Sequence, residues 1–193
     1  MSRARERDTG RPHGPTAVRN TITGVKAPKR DRPHLPKGYI TAAPKGMLTW
    51  TAVEALLRAA PYFWIATTND DGRPHLIQQW GVWIDQRLFF DGSDRTRWAR
   101  NLARDPRVGF GMQTGNNATY GDGAVEIIRG VPLPLARRMA AQYGAKYGRG
   151  FKYRPTAEQF VTGNVFSVRP EKLIAFDVKR FSTSATRFTF TLP

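Results

Sequence analysis

The chain has 193 residues, no cysteine, 40% hydrophobic residues and a formal net charge of +16, with 31 Lys/Arg against 15 Asp/Glu. That length suits one domain with a substantial core, and the missing cysteines exclude disulfides, a thiol nucleophile and thiolate metal sites. The three histidines, His13, His34 and His75, stand outside any ligand spacing, so no metal site is expected. With no apolar run near the roughly 20 residues of a membrane span, the expectation is a soluble, cytoplasmic protein.

The charge is unevenly spread. Residues 1–45 hold 11 Lys/Arg and 3 Asp/Glu, the remaining residues 20 and 12, so the density is far higher in the first segment. Rich in Pro and Gly and without sustained periodicity, residues 1–45 read as a basic arm, largely disordered or extended. A solvated arm, or one that wraps a partner, is the favoured reading; polyanion binding is the alternative, and a nucleic-acid partner is not expected. The stretch from Arg32 to Tyr39 is less polar and suits order against the body.

The body is taken as residues 46–193. In TWTAVEALLRAAP, Trp50, Val53, Leu56, Leu57 and Ala60 share a helical face, Thr51 and Glu54 fit a capping box, and Pro61 ends the helix. Strands follow near 62–68, 74–84, 87–91, 107–113 and 124–131. The turns at 69–72 and at Asp85-Gln86 carry polar residues or ones that tolerate left-handed backbone, as tight connections require. A short helix at 96–104 places Trp98, Ala99 and Leu102 on one side. A longer one at 134–147 has Leu135, Met139 and Tyr143 in a stripe, and a short helix is expected near 156–161. The chain then returns to strands in NVFSVRP, KLIAFDV and ATRFTFTL. Six to eight antiparallel strands with few helices give a mainly β fold, a closed or split β-barrel.

FWIATTNDDGRPH, WGVWIDQRLFF, TRWARNLARDPRV, VFSVRPEKLIAF and ATRFTF, in that order, resemble the pyridoxamine 5'-phosphate oxidase-like flavin-binding split-barrel family, especially its actinobacterial branch with deazaflavin-dependent reductases. The likeness covers residues 32–193. It implies a homodimeric split β-barrel with a cofactor at the subunit interface and hydride transfer to or from a small organic substrate. The implied cofactor is FMN, with the deazaflavin coenzyme F-420 and then heme as alternatives; a non-catalytic carrier is the alternative function.

A phosphorylated ring cofactor needs cationic or N–H donors for its phosphate and a flat apolar wall for its ring. Arg95, Thr96 and Arg97 stand at a helix start, where free N–H groups favour an anion. The family's motif commonly reads Ser-Arg-Lys-Ala-Arg-Asn-Leu, so Thr96 and Arg97 match it while Trp98 stands where the phosphate-binding Lys does. The ring platform is expected from Gln78, Gln79, Trp80 and Gly81, the glutamines matching amide donors and acceptors on the ring edge. Core or interface packing is the competing role for Trp80. By resemblance Arg187 also lies near the cofactor, as an anion contact; an exposed terminal-strand Arg is the alternative. His75 is a candidate proton donor or a bystander. Tyr143, Lys146 and Tyr147 are candidates for the substrate side. No nucleophile–base pair or carboxylate dyad stands out, so no catalytic side chain is named.

Overall fold

The computed structural model describes residues 26–191; residues 1–25 of the expected arm lie outside the described residues. The described part of that arm holds one short strand and then turns and bends over residues 37–45. Its strand β1 (Lys29–Asp31) pairs antiparallel with the last strand, β9 (Thr186–Thr189). Arg32 then ties the lead-in to the body, donating to the Ala43, Lys45, Thr183 and Ala185 carbonyl oxygens.

Helix α1 (Trp50–Ala59) is capped by Thr49, whose hydroxyl accepts from the Ala52 N–H at 3.3 Å. The expected Thr51–Glu54 box does not form. Glu54 instead takes the Trp83 indole N–H at 3.4 Å and pairs with Arg58. Val53 and Leu57 of α1 are buried in the barrel. The hairpin of β2 (Phe63–Thr68) and β3 (Pro74–Gln79) follows. β2 alternates buried Phe63, Ile65 and Thr67 with outward Trp64, Ala66 and Thr68, the period of a strand with one face on a core.

The long strand expected over 74–84 breaks at Trp80-Gly81, so β4 (Val82–Ile84) is a separate strand. It turns into β5 (Arg87–Asp91) through Asp85 and Gln86, both at positive φ (50° and 58°), the backbone of a two-residue hairpin loop. β4 and β5 are apolar without interruption because they are buried on both faces. Trp83, Leu88 and Phe90 enter the barrel core, while Val82, Ile84 and Phe89 face a second core.

Helix α2 (Arg97–Arg104) leads to β6 (Arg107–Thr114) and β7 (Asn117–Arg129), a longer strand than the expected 124–131. Helix α3 (Leu133–Tyr147) and the short α4 (Ala157–Thr162) cover the second core with Met139, Tyr143, Tyr147 and Phe160. The segments NVFSVRP and KLIAFDV are one strand, β8 (Asn164–Asp177), and a 3-10 turn with α5 (Phe181–Ser184) leads to β9. The structure thus has nine strands among the described residues where six to eight were expected.

All pairings are antiparallel, in the path β1-β9-β8-β7-β6-β2-β3. β8 makes the split. It pairs with β7 along its length, with β5 over 165–168, and with β9 over 172–175. The register shifts at Asp122/Gly123, opposite Pro170, and a Cβ at Gly121 would lie 1.9 Å from the Lys172 oxygen. Glycine is what lets these two backbones approach so closely at the bend. The fold is a mainly β antiparallel split barrel.

Candidate functional site

The break after β3 is built from the inside. A Cβ at Gly81 would come within 2.8 Å of Leu88 Cδ1 and 3.0 Å of the Phe89 oxygen, so any side chain there would push on its neighbours. The peptide groups around it are held from α3. Gly81 N–H donates to the Tyr147 hydroxyl at 3.0 Å, and Lys146 Nζ donates to the Gly81 oxygen at 2.8 Å. The Tyr147 proton is shared between the Pro61 oxygen (2.9 Å) and the Gly81 oxygen (3.1 Å). Trp80 is fixed by stacking on Tyr147, with centroids 4.6 Å apart and planes at 9°, and Phe151 and Tyr153 pack at its sides.

The end of β3 is clipped to the end of β5, because Gln79 Nε2 donates to the Asp91 main-chain oxygen at 2.9 Å. Between this clip and α3 lies a cavity of about 330 Å³ lined by Gln78, Gln79, Trp80, Asp91, Tyr143 and Tyr153. Three of the expected platform residues therefore converge on one space, which Gly81 does not line.

Asp91 is the charged group of that lining. Burial raises its pKa against the lowering effect of hydrogen bonds from Tyr143 and Gln159. The Gln159 amide stands 3.4 Å from its Oδ2. The Tyr143 hydroxyl lies between this carboxyl and the Trp80 oxygen, 3.5 Å away, and burial lifts its pKa well above the ordinary phenol value. Burial pushes Lys146 down to about 8. The structure accordingly gives an aromatic-walled crevice with two amides, two phenols and a desolvated carboxyl, able to hold a flat ring and exchange hydrogen bonds with it.

The remaining expected residues fall elsewhere. Thr96 caps α2, accepting from the Ala99 N–H at 3.4 Å, and Arg95 and Arg97 flank it in exposed positions. Trp98 lies in the core and does not line the cavity: it is 7% exposed, packs edge-on against Phe166 at 4.6 Å and lies tilted against Phe90 at 5.5 Å. Its aromatic bulk fills barrel core. Arg187 does not line the cavity. It makes a two-pronged pair with Asp31 of β1, at 2.7 and 2.8 Å, that closes the edge of the sheet. His75 sits opposite Thr67 in the β2–β3 hairpin. Tyr143 both packs and lines the cavity, whereas Asp91 and Tyr153 went unsingled in the sequence. The available signal was a lone carboxylate ending the apolar run LFFD.

Residues 49–176, well over half of the chain, match the sequence profile described as pyridoxamine 5'-phosphate oxidase. The chain belongs to the pyridoxamine 5'-phosphate oxidase family. No curated protein matches it. Among solved structures, this family member is similar to the conserved hypothetical protein Rv2991 of Mycobacterium tuberculosis, at 19% identity and a TM-score of 0.59, over 76% of this chain and 92% of that one. It is similar to a pyridoxamine 5'-phosphate oxidase-related, FMN-binding protein of Nostoc punctiforme, at 15% identity and 0.52, over 76% and 98%. It is also similar to the heme storage protein HutZ of Vibrio cholerae, at 20% identity and 0.50, over 63% and 89%. At these identities the likeness is one of fold.

Proposed function

We propose that this family member is a flavin- or deazaflavin-dependent oxidoreductase that transfers hydride to or from a small organic substrate, acting in the cytoplasm as a homodimer. The observation that carries the reading is the convergence of Gln78, Gln79 and Trp80 on the cavity closed by α3. The ring fits this wall, because the two amides supply donors and acceptors beside an aromatic surface. The phosphate does not fit there, because Asp91 would repel it. It belongs outside, at Arg95, Arg97 and the α2 start, where each charge-assisted contact contributes about 1.5–3 kcal/mol. When bound, such a cofactor would supply or accept the hydride, and the protein's part is to orient the substrate and exclude water. The partner subunit would cover the outward sheet face, where Trp64, Leu76 and Tyr120 are about half exposed.

Titration with FMN and with the deazaflavin coenzyme tests this. Quenching of tryptophan fluorescence and a shifted coenzyme spectrum are expected for one of them, followed by bleaching on reduction. A protein inert to both coenzymes would sink the proposal. A non-catalytic carrier is the second reading, favoured by the burial of Trp98, which leaves the α2 start one cation short of the family's pattern. A bound coenzyme that never exchanges electrons with any substrate would select it.

A further inference from the structure

The acidic residues of this basic chain are mostly neutralised. Among the described residues, Asp31, Glu54, Asp71, Asp85, Asp105, Asp122, Glu126 and Asp177 each have an ion-pair partner. Of those without one, Asp70, Asp94, Glu158 and Glu171 are exposed, where water solvates them. Asp91 is different. It is partly buried, has no Lys, Arg or His partner among the described residues, and borders a cavity walled by Trp80, Tyr143 and Tyr153. Its nearest donors are neutral, the Gln159 amide and the Tyr143 phenol.

A desolvated carboxylate without a counter-ion is costly, and a chain with 31 Lys/Arg could readily have placed one there. Aromatic faces around a carboxylate are also what a small organic cation finds favourable, since ring quadrupoles attract positive charge. Tyr143 and Tyr153 add hydroxyl acceptors, and Gln78 and Gln79 add amide oxygens for the N–H groups of such a ligand.

We propose that the cavity takes a small organic cation, an amine or amidine carried on a flat apolar body, with Asp91 as its counter-ion. A ligand of this class fills the one role the protein leaves open at Asp91, and the aromatic walls accommodate its body. An anionic ligand is disfavoured there by the same carboxylate. The inference rests on no coenzyme: a ring seated in this cavity and a cation at Asp91 would occupy the same space of about 330 Å³, so the two readings compete for it and the probes below tell them apart.

The test uses the full chain and two probes of nearly equal shape, cationic benzamidine and neutral benzamide, followed by calorimetry and tryptophan fluorescence at pH 7.5. Benzamidine is expected to bind at least tenfold more tightly than benzamide. Asp91→Asn should erase that preference while leaving benzamide affinity within about twofold. Asp91→Glu should keep part of it. Equal affinity of the two probes for the wild-type chain overturns the proposal without any variant, so a misfolded Asp91→Asn does not shelter it. A preference that survives in a folded Asp91→Asn protein overturns it as well. Selective benzamidine binding by a chain that shifts no coenzyme spectrum would uphold the cation site and end the redox reading; coenzyme binding without probe selectivity would do the reverse.

Discussion

The Lys146 ammonium reaches across from α3 to the Gly81 carbonyl oxygen at 2.8 Å, so a cation removed from water is held by main chain and aromatic rings, not by a carboxylate. Its Nζ lies 5.5 Å from the Phe63 ring centroid and 5.8 Å from that of Tyr147. These contacts soften its burial without cancelling it, which is why its pKa falls from 10.5 to about 8.

A stability change with pH follows. Between about pH 8 and 10.5 the unfolded chain keeps the Lys146 proton that the folded chain has released, so stability rises with pH across that window. The slope has an upper bound of about 1.4 kcal/mol per pH unit. Urea unfolding at pH 7, 8, 9 and 10 should show the rise in the wild-type protein and its loss in Lys146→Met. Tyr147, raised to about 12 by burial, and Tyr143, raised as well, act in the opposite sense as the pH nears 10, because the unfolded phenols ionise first; they do so in both proteins, so Lys146 is read from the difference between the two profiles. Parallel profiles for the two proteins would refute the assignment.

Asp91→Asn is expected to stabilise the free protein at neutral pH. Burial raises the folded pKa of Asp91 above 3.8, so the carboxylate is a cost that is absent below 3.8 and complete above the raised value. The melting temperature of the variant should exceed that of the wild type at pH 7, and the gap should close as the pH falls toward 3.8. A variant less stable than the wild type at pH 7 would show that Asp91 already has its counter-charge.

Trp98→Lys restores the family's residue but not its role. The side chain points into packing formed by Phe90 and Phe166, so the change should cost at least about 3 kcal/mol in lost packing alone. Denaturant unfolding measures that loss. Coenzyme affinity should not improve, and a tighter complex in the variant would place position 98 at the phosphate after all.

Gly81→Ala should destabilise by about 1–3 kcal/mol, since its Cβ meets Leu88 Cδ1 at 2.8 Å and the Phe89 oxygen at 3.0 Å. The adjacent Trp80 would be displaced from its stack on Tyr147. A red-shifted tryptophan emission together with a lower melting temperature is the expected signature. Unchanged emission would mean that the strand absorbs the methyl group elsewhere.

The sequence made the barrel legible where local chemistry decides structure. Asp85-Gln86 marked its hairpin because few residue types accept positive φ, and the alternation in Phe63–Thr68 marked a strand with one buried face. It misled where a local break is overridden at long range. Pro170 reads as the end of a strand, yet β8 continues through it because the register shift at Asp122/Gly123 lies opposite. Thr49 and Thr51 are equally good caps by composition; the helix starts after Thr49, and Glu54 takes the Trp83 indole N–H from outside the helix. Three platform residues were readable because one strand carries them. Asp91 was not, since its surroundings come from α3 and α4 far along the chain, and Arg187 finds Asp31 across 156 positions.

The clip between the ends of β3 and β5 grips Asp91 by its main-chain oxygen, not by its carboxylate. Every amino acid offers that oxygen, so the width of the crevice does not depend on which side chain position 91 carries. Frame and chemistry are separable there. Exchange of the carboxylate for an amide, a base or a small apolar group would re-address the cavity to a different class of molecule while the two strand ends stayed fastened, which makes position 91 a place where a barrel of this kind can change its ligand in a single step.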